Sequence, residues 1–182
     1  MRNDKAILII ADSENDSNMF YATGFLAPDA FTYIQKTDEK IIVANDLEID
    51  RAGSQASVDT VLSYSKYEKI AKKRGFKTPS LIEVIDTILR ENNINELVVP
   101  WNFSVSYADF FRKNGFILEV KKNPFFVSRE IKSEQEMDYI VKTQRGIERA
   151  LSNAVDCIKK SRVKNGLLYS GSGTKITSDL IR

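Results

Sequence analysis

Residues 6–11 form an unbroken apolar run, AILIIA, which breaks at Asp12 into the polar stretch DSENDSN. A short apolar run closed by turn-forming residues predicts a buried strand ending in a loop. A short helix or turn over residues 18–23 follows and stops at Gly24. Residues 30–35 (AFTYIQ) and 40–44 (KIIVA) then read as two strands joined by Lys36-Thr37-Asp38-Glu39. So short a connection predicts a hairpin. Residues 58–64 are again β-prone, and Tyr67, Ile70 and Ala71 predict a helix that ends near Gly75.

The next helix is better marked. Leu81, Ile82, Ile85, Ile88 and Leu89 recur at helical spacing behind Thr78-Pro79-Ser80, and Ser80 with Glu83 fits a capping box. Residues 96–100 (ELVVP) predict a strand, 105–114 a helix closed by Gly115, and 116–120 a further strand. Alternating strands and helices place the chain in the α/β class, and the early hairpin makes the sheet mixed rather than purely parallel.

The pattern changes after about Val127. Ser133 and Glu136 fit a second capping box, and Met137, Ile140, Val141, Ile147, Leu151, Ala154, Val155 and Ile158 repeat at three and four. That predicts one amphipathic helix of about 28 residues, roughly 40 Å long, whose apolar stripe needs cover. The expected division is therefore an α/β domain over residues 1–128, followed by a junction and long helix over 129–182. Ser170-Gly171-Ser172-Gly173-Thr174-Lys175 reads as a flexible link, and a last helix opens at Thr177 or Ser178. Ending inside that opening turn reads as a cut rather than a natural terminus.

Composition narrows the chemistry. The chain has 182 residues, 42% hydrophobic and 29% charged, with a net charge of +2 and no histidine. Without histidine there is no Ser-His-Asp or Cys-His catalysis, no imidazole zinc site and no histidine acid–base step. The single cysteine, Cys157, allows no internal disulfide and reads as a small buried hydrophobe. Near-neutral charge argues against a nucleic-acid partner. The lack of a long apolar segment or signal-like start argues against a membrane one and for a cytoplasmic location.

Several constellations invite a chemical reading. Asp12, Glu14, Asp16 and Asn18 alternate after the first strand, where ligand loops of open α/β sheets lie. They fail the EF-hand pattern, since Ser17 stands for its glycine and Thr23 for its glutamate, and a solvated acidic turn is the plainer reading. A metal-dependent phosphohydrolase built on these acids is the least favoured function. The run from Ser170 to Lys175 lacks phosphate-loop spacing. Lys66, Lys69, Lys72, Lys73, Arg74 and Lys77 read as a solvated helix face interrupted by Glu68. Phe20, Tyr21, Phe25, Phe31 and Tyr33 cluster around Gly24 and are expected mainly in the core, whereas Phe25 and the loop Leu26-Ala27-Pro28-Asp29 should line a surface. Trp101 suits either a core plug or an exposed anchor.

Two segments carry a family resemblance. Residues 18–25, NMFYATGF, resemble the Y-x-T-G-F signature of the N-terminal domain of creatinase, prolidase and aminopeptidase P enzymes. Residues 128–137, SREIKSEQEM, are similar to the R-x-I-K-S-x-x-E-[ILM] junction at which those proteins enter their catalytic domain. Their order, their separation and the long helix that follows extend the resemblance over nearly the whole chain.

The resemblance implies a ribonuclease-H-like mixed sheet followed by the opening helix of a pita-bread metallopeptidase domain. It implies that the parent enzyme holds two divalent metal ions (manganese, cobalt or zinc) on two aspartates, a histidine and two glutamates. This sequence ends near Leu180 before reaching them, so no catalytic or metal residue is carried over. The implied partners are the chain's own catalytic domain, a second subunit in a homodimer and a proline-containing peptide. Tyr21, Gly24, Phe25, Arg129 and Lys132 match the signatures and are expected to be mainly structural, with Phe25 and Asp29 as substrate-pocket candidates. The expected function is the non-catalytic N-terminal portion of a Xaa-Pro peptidase, inactive alone, shaping the substrate pocket and mediating assembly. A stand-alone dimerising module is the alternative.

Overall fold

A computed structural model describes residues 5–181; residues 1–4 and 182 lie outside the described residues. The chain divides into two compact units, Met1–Arg129 and Glu130–Arg182.

In the first unit, β1 (Ala6–Ala11), β2 (Phe31–Gln35), β3 (Lys40–Ala44), β4 (Thr60–Ser63), β5 (Glu96–Pro100) and β6 (Ile117–Lys121) form one sheet in the order β4-β3-β2-β1-β5-β6. β2 runs antiparallel to both β1 and β3, and the other neighbours pair in parallel, so the sheet is mixed. The hairpin predicted for β2 and β3 is present, with Thr32 opposite Val43 and Gln35 opposite Lys40.

Helices cover both faces, and the period-2 alternation of the strands decides which residue meets which layer. Leu8, Ile34, Ile41 and Val43 point to the face covered by α3 (Tyr64–Lys73), α4 (Leu81–Glu91) and α5 (Val105–Lys113), where they meet Val84, Ile85, Ile88 and Phe111. Ile9, Tyr33, Ile42 and Ala44 point to the other face, where α1 (Ser17–Thr23) and α2 (Ile49–Gln55) bring Met19, Ala22 and Ala52. Each fully buried aliphatic or aromatic side chain contributes about 1.5–3 kcal/mol, and both faces therefore hold the sheet. This is the α/β architecture expected from the sequence.

Local chemistry sets the helix ends. Asp16 Oδ1 accepts from the backbone amides of Asn18 and Met19 and caps α1. Gly24 closes it in the left-handed region at φ 62°, a conformation glycine adopts without steric cost. Glu83 accepts from the backbone and hydroxyl of Ser80 ahead of α4, as the capping box predicts. α2 has no sequence prediction, because Glu48 at its N-cap makes no side-chain capping bond and Gly53 interrupts a short segment.

The second unit contains α6 (Glu134–Lys159), β7 (Arg162–Lys164), β8 (Leu167–Tyr169) and α7 (Ser178–Ile181). α6 has 26 residues and opens on the Ser133–Glu136 capping box. Met137, Ile140, Ile147, Leu151 and Ile158 along it are exposed. The structure corrects two expectations here. The run from Ser170 to Lys175 is a closed turn, with the Ser170 amide bonded to Thr174 O at 2.8 Å and Tyr169 bridged to Lys175. Cys157 is half-buried rather than buried. Among the described residues no helix is long and apolar enough to cross a membrane.

Candidate functional site

β1, β3, β4, β5 and β6 run in parallel, so their carboxyl ends share one edge of the sheet, the edge where ligands of open α/β sheets bind. A cleft of about 220 Å³ opens there, at the end of β3 and the start of β2. Its walls include Phe25, Phe31 and Tyr64, with Asp29, Asn45 and Glu48 as polar groups.

The cleft is built by short links. Beyond β3, Asn45 Oδ1 accepts from the amides of Leu47 and Glu48, each at 3.0 Å, turning the chain into α2. Arg51, one turn into that helix, pairs with Glu48. Its Nη1 also donates to Leu26 O at 2.8 Å, and its guanidinium lies 4.5 Å above the ring of Phe25. Ser13 fastens the same loop from the other side, accepting from the Ala27 amide at 2.8 Å. Phe25 meets Phe31 edge to face at 5.6 Å. Burial, reinforced by the Glu68 carboxylate, raises the Tyr64 phenol above its ordinary pKa, so the ring presents a neutral hydroxyl at physiological pH. Beside the cleft, Ser65 and Ser63 donate to Asp46 at 2.6 and 2.9 Å and hold its carboxyl below the usual range.

Of the predicted site residues, Phe25 and Asp29 both line this cleft, Phe25 as a buried wall and Asp29 at an exposed position. Gly24 precedes it as the cap of α1, and buried Thr23 closes the signature by donating to Met19 O and accepting from the Phe25 amide. Tyr21 and Arg129 meet elsewhere in the same unit. The Arg129 guanidinium lies 5.6 Å over the Tyr21 ring, Arg129 Nη1 donates to Asn18 Oδ1 at 2.7 Å, and Tyr21 Oη donates to Ser128 Oγ at 2.9 Å. Lys132 is an exposed residue ahead of α6. Asn45, Glu48, Arg51 and Tyr64 have no sequence prediction as cleft residues. Their one legible signal is the Asn-Asp pair after a strand, with Glu48 and Arg51 three apart.

The remaining constellations resolve into structure. Asp12 Oδ1 accepts from the backbone and side chain of Asn15, both at 2.8 Å, and Asp16 caps α1 while its Oδ2 accepts from Asn102. Among the described residues no group of three or more Asp, Glu or Cys is placed to hold a metal ion, so they do not fit a two-metal centre. The lysines of α3 are exposed, and Lys72 pairs with Glu68. Phe31 and Tyr33 are buried as expected, and Phe25, expected to line a surface, is buried as well, but Phe20 and Tyr21 are exposed, because α1 packs on the sheet through Met19 and Ala22. Trp101 is 61% exposed, which excludes the core plug.

No family model matches the chain. It resembles the X-Pro aminopeptidase of Thermotoga maritima at a TM-score of 0.67 and 14% identity, over 87% of this chain and 42% of that one. It resembles the prolidase of Pyrococcus furiosus at 0.56 and 17%, over 87% and 41%. The chain has the fold of a creatinase/prolidase N-terminal domain. It spans about two fifths of the length of these solved enzymes. A curated protein, the 2,3-bisphosphoglycerate-independent phosphoglycerate mutase of Metamycoplasma hominis, is 22% identical over 116 residues, 64% of this chain and 23% of the mutase.

Proposed function

We propose that this chain is the non-catalytic N-terminal portion of a Xaa-Pro aminopeptidase- or dipeptidase-like metallopeptidase, shaping the substrate pocket and mediating subunit assembly. The observation behind the proposal is the fold, which over 87% of this chain follows 42% of an X-Pro aminopeptidase. The divalent metals such an enzyme uses would be held by residues other than those described here, which do not fit them, and would act as Lewis acids on the substrate. What this chain supplies is positioning: the cleft at Phe25 and Asp29 holds part of a peptide, so that the reaction at the metal site becomes effectively intramolecular. The test is to assay this chain with manganese or cobalt on Xaa-Pro dipeptides and longer Xaa-Pro peptides. Turnover above background overturns the proposal.

A stand-alone dimerising module is the second reading, and the exposed stripe of α6 favours it, with Ile147 at 65% and Leu151 at 63% exposure. An apolar stripe of this kind gains by being covered. Light scattering on the full chain and on an Ile147→Glu, Leu151→Glu variant tests assembly through it. A monomer in both forms removes that role.

A further inference from the structure

We infer that β6 is a self-association edge: two copies of this chain pair β6 with β6, antiparallel about a two-fold axis at Val120, and so join their sheets into one. The inference rests on the subunit-assembly role proposed above and deepens it, and it is independent of the peptidase chemistry. β6 ends the sheet and, among the described residues, pairs only with β5. The opposite edge, β4, is half-buried along its whole length, with α2 packed against it. β6 is the open edge, since Ile117, Glu119 and Val120 along it are exposed. An open edge strand presents unpaired N–H and C=O groups and is a template for another strand.

Backbone phase and side-chain charge select the occupant and its register. The Ile117 amide donates to Asn95 O at 2.9 Å, and alternate residues of a parallel strand turn their N–H and C=O toward the same neighbour. Ile117, Glu119 and Lys121 therefore serve β5, and the N–H and C=O of Leu118 and Val120 point outward. With the axis at Val120, the two copies of that residue exchange both bonds of a hydrogen-bonded antiparallel pair. The same register sets Glu119 opposite Lys121 of the second copy, and Lys121 opposite its Glu119, in the non-hydrogen-bonded pairs where side chains come closest. Charged side chains ordinarily discourage edge pairing. Here the opposite signs at Glu119 and Lys121 let the edge accept its own copy in one register and penalise its neighbours. An axis at Glu119 sets two carboxylates face to face, and an axis at Lys121 sets two ammonium groups face to face, both destabilising. Lys5 bonds Oε2 of Glu119 at 2.7 Å, so in the dimer that carboxylate lies between two cations. Pro124, which has no N–H, stops the ladder just past the strand.

The test is sedimentation velocity on the full chain over a concentration series reaching about 0.5 mM, because the pairing of two short strands is a small interface and gives a weak dimer. The chain itself is expected to shift from monomer to dimer along the series. Val120→Pro removes the outward N–H, a change an edge strand tolerates because the bonds to β5 are untouched, and should leave a monomer. Glu119→Lys and Lys121→Glu, both at the surface, should each weaken association at least about tenfold, since the symmetry turns two attractive pairs into two repulsive ones. An equimolar mixture of these two variants should associate again, because each substituted position then faces an opposite charge. A chain that stays monomeric throughout overturns the inference, as does a dimer that persists in Val120→Pro or a mixture that associates no better than its components. A dimer that persists in Val120→Pro but is lost in the Ile147→Glu, Leu151→Glu variant overturns this inference and leaves the assembly proposal standing on α6. Turnover in the Xaa-Pro assay removes the non-catalytic reading without touching the edge.

Discussion

Arg129 lies over the ring of Tyr21 at 5.6 Å and reaches Asn18 Oδ1 at 2.7 Å, so the last residue of the first unit is fastened to its first helix. A guanidinium can stack and donate at the same time because it is planar and presents five N–H groups. Replacing Arg129 with alanine should cost about 1–3 kcal/mol, from the charged hydrogen bond and the stacking together. Lysine should restore less than half, which urea unfolding of both variants measures.

Gly24→Ala tests the cap of α1. The added methyl would meet Ser57 Oγ at 3.4 Å, an ordinary contact, so the cost lies in holding alanine at φ 62°. The expected loss is about 1–2 kcal/mol, read from the shift of the denaturation midpoint.

Tyr33 should dominate the alkaline limb of stability. Burial, with help from Asp59, pushes its phenol up to about 12, while the unfolded chain titrates near 10. A group with a raised folded pKa contributes stability that is complete below pH 10 and lost as the pH rises through about 12, on the order of 2–3 kcal/mol in all. Tyr33→Phe gives up the hydrogen bond to Gln35 and should show a shallower fall between pH 10 and 12. Parallel urea titrations of the two proteins supply the comparison.

Asp46 works in the opposite direction. Its depressed pKa contributes stability above the ordinary carboxylate range, and this is lost as the pH falls through the folded value. Removing the two donors with Ser63→Ala and Ser65→Ala should move the acid unfolding midpoint to higher pH.

Phe111→Ala should be the most damaging of these changes. The ring is fully buried and meets both Phe110 and Phe116 edge to face. Its removal should cost about 3–5 kcal/mol, whereas Leu47→Ala, at a position 93% exposed, should fall within about 0.5 kcal/mol of the parent. Calorimetric melting of both variants checks the contrast.

Legibility followed the range of the interaction. Strands β3 and β5 and the capping boxes at Ser80 and Ser133 are readable because periodicity and caps act within a few residues. The β7–β8 hairpin was equally readable in principle. Asn165 and Gly166 both take positive φ, the Asn-Gly turn that most strongly signals a hairpin. The glycines and serines that follow predict a linker instead. α2 offered no such signal, since its buried face amounts to Ala52.

The linear pattern alone determined the α/β class, the mixed sheet, most element boundaries and the absence of histidine and disulfide chemistry, because each depends on residue type or near-neighbour spacing. Only the tertiary structure decided that Phe25 and Asp29 share a cleft with Asn45, Glu48 and Tyr64, and that Asp16 caps a helix while Tyr21 meets Arg129. Those groupings arise when the antiparallel β2 and the parallel strands around it bring distant loops to one edge of the sheet. Pairing of that kind is set by packing over the whole unit, and no local window of residues encodes it.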